Sequence, residues 1–196
     1  MANNDVITGL TPKYFQNGAA YNGQAEWFYI PSGDGTAVYL GDPVKLAGGA
    51  DSEGVPSVTK ASSTDPVVGV VIAVDPVMGD GSDGRDSDIY RAASTERYVQ
   101  VATDPSILFE IQEDSAATTL GTADVGLNAN FIDGGGSTIT GYSGLELDSD
   151  TAATTATLDF QIVRLANRPD NEIGANAKWL VKLNNHQYVD GTTGIS

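Results

Sequence analysis

No apolar pattern in this chain runs long enough to build a helical domain. Apolar and β-branched residues come in short runs, and Gly or Asp-Pro punctuation cuts each run off. Four of the eight prolines follow aspartate: Asp42-Pro43, Asp65-Pro66, Asp75-Pro76 and Asp104-Pro105. Proline forces the residue before it out of the helical region, and aspartate accepts hydrogen bonds from nearby backbone. These pairs therefore mark element boundaries. Strands are predicted at 26–30, 37–40, 44–47, 55–60, 67–74, 97–103, 107–113, 127–132, 138–142, 157–166 and 178–183. Several alternate cleanly. Ile107, Phe109 and Ile111 oppose Glu110 and Gln112; Leu158, Phe160 and Ile162 oppose Asp159 and Gln161; Trp179, Val181 and Leu183 share a face. Val67–Val74 is nearly all apolar, which predicts a strand buried on both faces. Residues 115–126 are the best helix candidate, weakened by Thr118, Thr119 and Gly121.

This spacing predicts a mainly β fold, an antiparallel β-sandwich or barrel with a jelly roll among the options and at most one short helix. Residues 1–24 carry Leu10, Tyr14, Phe15 and Tyr21 without periodicity and read as an extended N-terminal arm. The rest, 25–196, reads as one β-rich domain, with 25–113 and 127–190 as possible subdomains. Gly134-Gly135-Gly136 reads as a hairpin turn, because no lysine follows to make a phosphate loop.

Charge narrows the partners. Ten basic against 26 acidic residues leave a net charge of −16. Phosphate backbones bind through lysine and arginine, so nucleic acid and anionic membrane surfaces are excluded as partners. No run approaches the ~18 apolar residues of a spanning helix, and the first residues show no secretory signal pattern.

Candidate chemistry is sparse. With no cysteine, disulfides and thiolate sites are impossible. The single histidine, His186, reads as a structural or interface residue. Asp80, Asp83, Asp86 and Asp88 are the only metal-like cluster, but their spacing departs from the calcium-loop pattern and they read as a solvated loop. No cofactor site and no catalytic constellation are expected. A hydrolase using a carboxylate pair stays open as an alternative, since 26 acids offer many pairs.

Two stretches resemble tailed-phage capsid cement, or head-decoration, proteins. One is Gly41-Asp42-Pro43-Val44-Lys45-Leu46 leading to Pro66-Val67-Val68-Gly69-Val70-Val71. The other runs from Arg164-Leu165 through Arg168-Pro169-Asp170-Asn171-Glu172-Ile173-Gly174 to Lys178–Tyr188. Together they cover about a third of the chain. The resemblance implies a homo-oligomer, a trimer or else a dimer, on the outer capsid surface, clamping the major capsid protein without catalysis. Subunit contacts are expected near Tyr14, Phe15, Tyr21, Trp179, His186 and Tyr188. The alternative binding role is a head-fibre or tail module that recognises a host glycan or receptor.

Overall fold

The computed structural model describes residues 3–74 and 89–189. It is mainly β, with strands β1 (Thr11–Phe15), β2 (Glu26–Ile30), β3 (Pro43–Ala50), β4 (Pro56–Lys60), β5 (Gly69–Val74), β6 (Arg97–Ala102), β7 (Ile107–Gln112), β8 (Asn128–Ala129), β9 (Phe131–Gly136), β10 (Ser143–Leu147), β11 (Phe160–Leu165) and β12 (Lys178–Leu183). Strands β2, β4, β3, β5 and β6 close a small barrel. A five-stranded antiparallel sheet has the order β1-β7-β12-β11-β8, and β9-β10 form a separate hairpin. Both β1 and β7 (Ile107–Gln112) thus join the sheet built from the C-terminal half, while β2 to β6 make the barrel.

Burial explains why the Val67–Val74 run carries almost no polar residue. Val68 and Val71 point into the barrel core with Phe28, Ile30, Val44 and Val99. Val67 and Val70 point the other way, into a second core with Phe109, Phe160, Ile162 and Trp179. The strand therefore joins barrel to sheet, and each large apolar side chain it and its neighbours bury contributes roughly 1.5–3 kcal/mol.

The Asp-Pro aspartates act as the sequence suggests. Asp42 accepts from Tyr39 N at 2.8 Å, Asp65 from Ser62 N at 2.8 Å, and Asp104 from Ser106 N at 2.8 Å. Asp75 lies outside the described residues.

Three local expectations are overturned. Residues 115–126 form no α-helix, only a 3₁₀ turn at Thr122–Asp124. Ser115 takes φ 51°, which breaks a helix at its start. The Glu113 carboxylate also captures Leu120 N at 3.0 Å, so a side chain competes for a backbone donor. Residues 138–142 are a turn, not a strand: Ser137 Oγ accepts from Ile139 N and Thr140 N. Conversely, Gly134 and Gly136 lie within β9 rather than in the turn. Their role is close approach, since a Cβ at Gly134 would sit 2.5 Å from Gly144 O and one at Gly136 2.3 Å from the Tyr39 ring.

One buried acid links three parts of the fold. Asp159, fully buried, accepts from Ser63 Oγ at 2.9 Å and Thr64 N at 2.8 Å, and its carbonyl accepts from Asn184 N. Burial pushes its carboxyl up to about 6, against the partial relief of these hydrogen bonds. A raised folded-state value means the protonated form favours folding. That contribution is present below pH 4 or so and is lost as pH rises through about 6. Asp159→Asn, which cannot ionise, is therefore expected to gain on the native chain by on the order of 2 kcal/mol between pH 4.5 and 7.5. Urea titrations at both pH values check this. An unchanged difference between the two proteins would mean the carboxyl titrates in its ordinary range.

Candidate interface groove

The alternation in β7, β11 and β12 gives the five-stranded sheet two faces. One carries Ile107, Phe109, Ile111, Trp179, Val181 and Leu183 into the core. On the other face, strand register aligns Thr11, Glu110, Leu180 and Arg164 in one row across β1, β7, β12 and β11. Tyr14 stands opposite Leu108 in the next row. This open face holds a groove of about 660 Å³, floored by Leu108 and Leu180 and walled by Lys13, Tyr14, Arg164 and Arg168. Leu180 is 1% exposed although it faces away from the core. The long stems of the surrounding cationic side chains supply apolar cover at such a site while their heads stay in water.

Charge on this face opposes that of the whole molecule. Lys13, Arg164, Arg168, Lys178 and Lys182 all belong to it, and the chain has ten basic residues in total. Among the described residues, Glu110 is the only carboxylate lining the groove. Arg168 bonds it at 2.9 Å and also pairs with Asp170 at 2.8 Å, and Lys13 stands 3.7 Å from it. Arg164 lies over the Tyr14 ring at 5.9 Å. Arg164 and Lys182 make no ion pair with a described residue. Burial first, then the nearby Arg168 and Lys13 charges, hold the Lys178 ammonium below its ordinary range, partly offset by Glu110 and Asp170. Positive charge is thus crowded here beyond what the local acids neutralise.

The sheet's edges are less available. Beyond β1 the chain doubles back, with Phe15 N bonding Ala19 O and Tyr21 N bonding Lys13 O. Beyond β8, Asn128 pairs with Ala153. Strand addition at either edge is obstructed, which leaves the face as the open surface. The N-terminal stretch also lies on its own chain. Leu10 is buried, Asn3 bonds Glu172 O and Ala175 O, and Val6 N bonds the Gln112 side chain.

The residues expected at contacts separate into distinct places. Tyr14 and Phe15 line the groove. Tyr21 packs against Phe15 and donates its hydroxyl to Gln24 O. Trp179 is corrected: it is fully buried beneath the sheet and reaches no surface. His186 is also buried, its Nε2 3.1 Å from Thr103 O and its Nδ1 accepting from Tyr188 N. That pair of contacts fits the neutral ring protonated on Nε2, and burial pushes its value down. Tyr188 is exposed and tilts against His186. The ring of His186 borders a depression of about 270 Å³ that shares Gln16 with the groove, so the two hollows adjoin. Asp80, Asp83, Asp86 and Asp88 lie outside the described residues. Among the described residues no three His, Asp or Glu side chains gather to hold a metal ion.

The alternation in β12 exposed Lys178 and Lys182 to sequence reasoning. Lys13, Arg164 and Arg168 gave no such signal, because only the sheet order brings them to the same face. Comparison with protein families, with curated proteins and with solved structures returns no match.

Proposed function

We propose that the chain is a non-catalytic structural protein that coats the outside of a tailed-phage capsid and clamps neighbouring copies of the major capsid protein. The observation that carries this reading is the concentration of half the basic side chains on one open sheet face of an otherwise acidic molecule. Such a distribution suits docking on a protein surface of opposite charge, in one orientation, while the remaining surface repels other polyanions. The acidic exterior is unsuited to the genome side of a shell, where packaged DNA concentrates negative charge. Among the described residues the groove has a single carboxylate, Glu110, and not the pair that glycoside hydrolysis uses. The likeness to cement proteins in two stretches of sequence supplies the capsid as the partner, with a trimer as the expected oligomer. Binding only to the assembled shell then stabilises it by mass action.

The test is cosedimentation with DNA-free shells of the major capsid protein encoded in the same genome, followed by heating. The protein is expected to pellet with the shells and raise the temperature at which they open. Arg164→Glu with Lys182→Glu is expected to leave it in the supernatant. Shells that open at the same temperature with and without it would sink the proposal.

A further inference from the structure

We propose that the groove receives an extended peptide segment of the partner that bears carboxylates at positions i and i+4 and an apolar side chain at i+2, so that all three face the groove. This rests on the reading of the chain as a binding protein and specifies what it binds.

Three features select such an occupant. The first is charge: Lys13 on β1 and Arg164 on β11 stand on opposite sides of the groove, with Arg168 beside Glu110. The second is the floor. Leu108 and Leu180 offer apolar contact between the cations, which an apolar i+2 side chain on the same side of an extended segment as the two acids matches and a uniformly charged polymer does not. The third is Glu110. A carboxylate in the middle of the row repels a continuous polyanion such as nucleic acid or a sulfated glycan. A peptide avoids it by presenting an apolar residue at that point and acids on either side. Adjacent strands are about 4.8 Å apart, so the distance from β1 to β11 is about 14 Å, which about four extended residues span. Carboxylates near the two ends of such a segment reach Lys13 and Arg164, while its centre crosses Leu180. Arg168 is held by both Glu110 and Asp170. An arriving carboxylate can take over the Asp170 contact without leaving a buried charge unpaired, because the Asp170 side chain is half exposed to water.

The experiment uses the full chain and a fluorescent peptide carrying Glu-Gly-Val-Gly-Glu, read by anisotropy, with amide chemical shifts mapped in parallel. Binding is expected at low ionic strength, with shifts concentrated in β1, β7 and β12, and to weaken several-fold at ~0.15 M salt. Arg164→Glu with Lys182→Glu, both on the outer face, is expected to weaken it at least ~10-fold. Glu110→Gln is expected to tighten it and to admit heparin, which the native chain binds less well than the peptide. Tighter binding of heparin or single-stranded DNA than of the peptide by the native chain overturns the proposal, and so does undiminished peptide binding by the double variant. If the chain pellets with capsid shells yet ignores the peptide, the occupant is wrong and the coating role stands. If the peptide binds and the shells do not, the reverse holds.

Discussion

Arg91→Ala is expected to lower folding stability by about 4 kcal/mol, which for a chain of this size shifts the melting temperature by about 12 °C. Arg91 is the largest buried charged side chain, with no exposed surface. Its guanidinium donates to four backbone carbonyls: Thr95 O at 2.7 Å, Thr36 O at 2.5 Å, Pro31 O at 2.9 Å and Asp34 O at 2.8 Å. The Asp34 carboxylate stands 3.6 Å away, and it is itself held by Thr36 N and Thr59 Oγ1. The Arg91 backbone adds a two-way bridge to Val38. One side chain thus organises the 31–36 loop and the 91–95 turn beside the barrel mouth. Alanine leaves the Thr36 and Thr95 carbonyls without the Arg91 donor and strips one of two donors from Pro31 O and Asp34 O, which Asp34 N and Ser94 N still serve, and it leaves a cavity as well. Orphaned acceptors cost about 1–3 kcal/mol each when water cannot reach them. Arg91→Met separates the two effects, since it fills much of the volume and donates nothing. Urea unfolding followed by tryptophan fluorescence, with an unchanged slope against denaturant, measures the loss. Methionine is expected to recover less than half of it. Near-complete recovery would show that packing, not hydrogen bonding, makes the site rigid.

Arg91 also shows where sequence reading stops. Its neighbours, Tyr90-Arg91-Ala92, resemble an ordinary surface stretch beside an acidic loop. Three of the four acceptors come from a loop 55 to 60 residues earlier whose carbonyls no side-chain pattern reveals. The strands were legible for the opposite reason. Alternation in Ile107–Gln112 and Lys178–Leu183 is a local signal, and the structure places strands on both. Barrel closure was not legible, because it depends on a single parallel pairing, Tyr29 with Ser57, between strands far apart in sequence. The glycines of β9 misled for a physical reason too. Glycine serves turns and close approach equally well, and only the position of the Tyr39 ring decides between them. The groove shares that character. Its charges are spread from Lys13 to Lys182 and meet only through strand order.

Trp179→Ala is expected to be the most damaging single change to the sheet, at about 4–5 kcal/mol. Trp179 is fully buried in the second core, and its indole Nε1 donates to Glu113 Oε2 at 3.1 Å. The same oxygen accepts from Leu120 N at 3.0 Å, while Glu113 N bonds Ala177 O. The other carboxylate oxygen, Oε1, is buried without a hydrogen-bond partner. Burial pushes the Glu113 carboxyl up, against the relief given by Leu120 and Trp179. Its protonated form therefore favours folding, and its contribution falls as pH rises. Glu113→Gln keeps an oxygen for both donors and removes the buried charge, so it is expected to lie within about 1 kcal/mol of the native chain and to gain on it as pH rises. Trp179→Phe removes the indole donor and some packing at a cost of about 2 kcal/mol. Combining the two substitutions measures their coupling, and a sum of independent losses would show that the negative charge on Glu113 adds nothing to the indole hydrogen bond. The outcome reaches the groove. Trp179 and Leu180 are consecutive on β12, one anchored in the core and one flooring the open face. A slip of one residue exchanges them. The buried indole therefore fixes which side of β12 presents Lys178 and Lys182, and Trp179→Ala is expected to scatter the groove's amide shifts before the sheet unfolds.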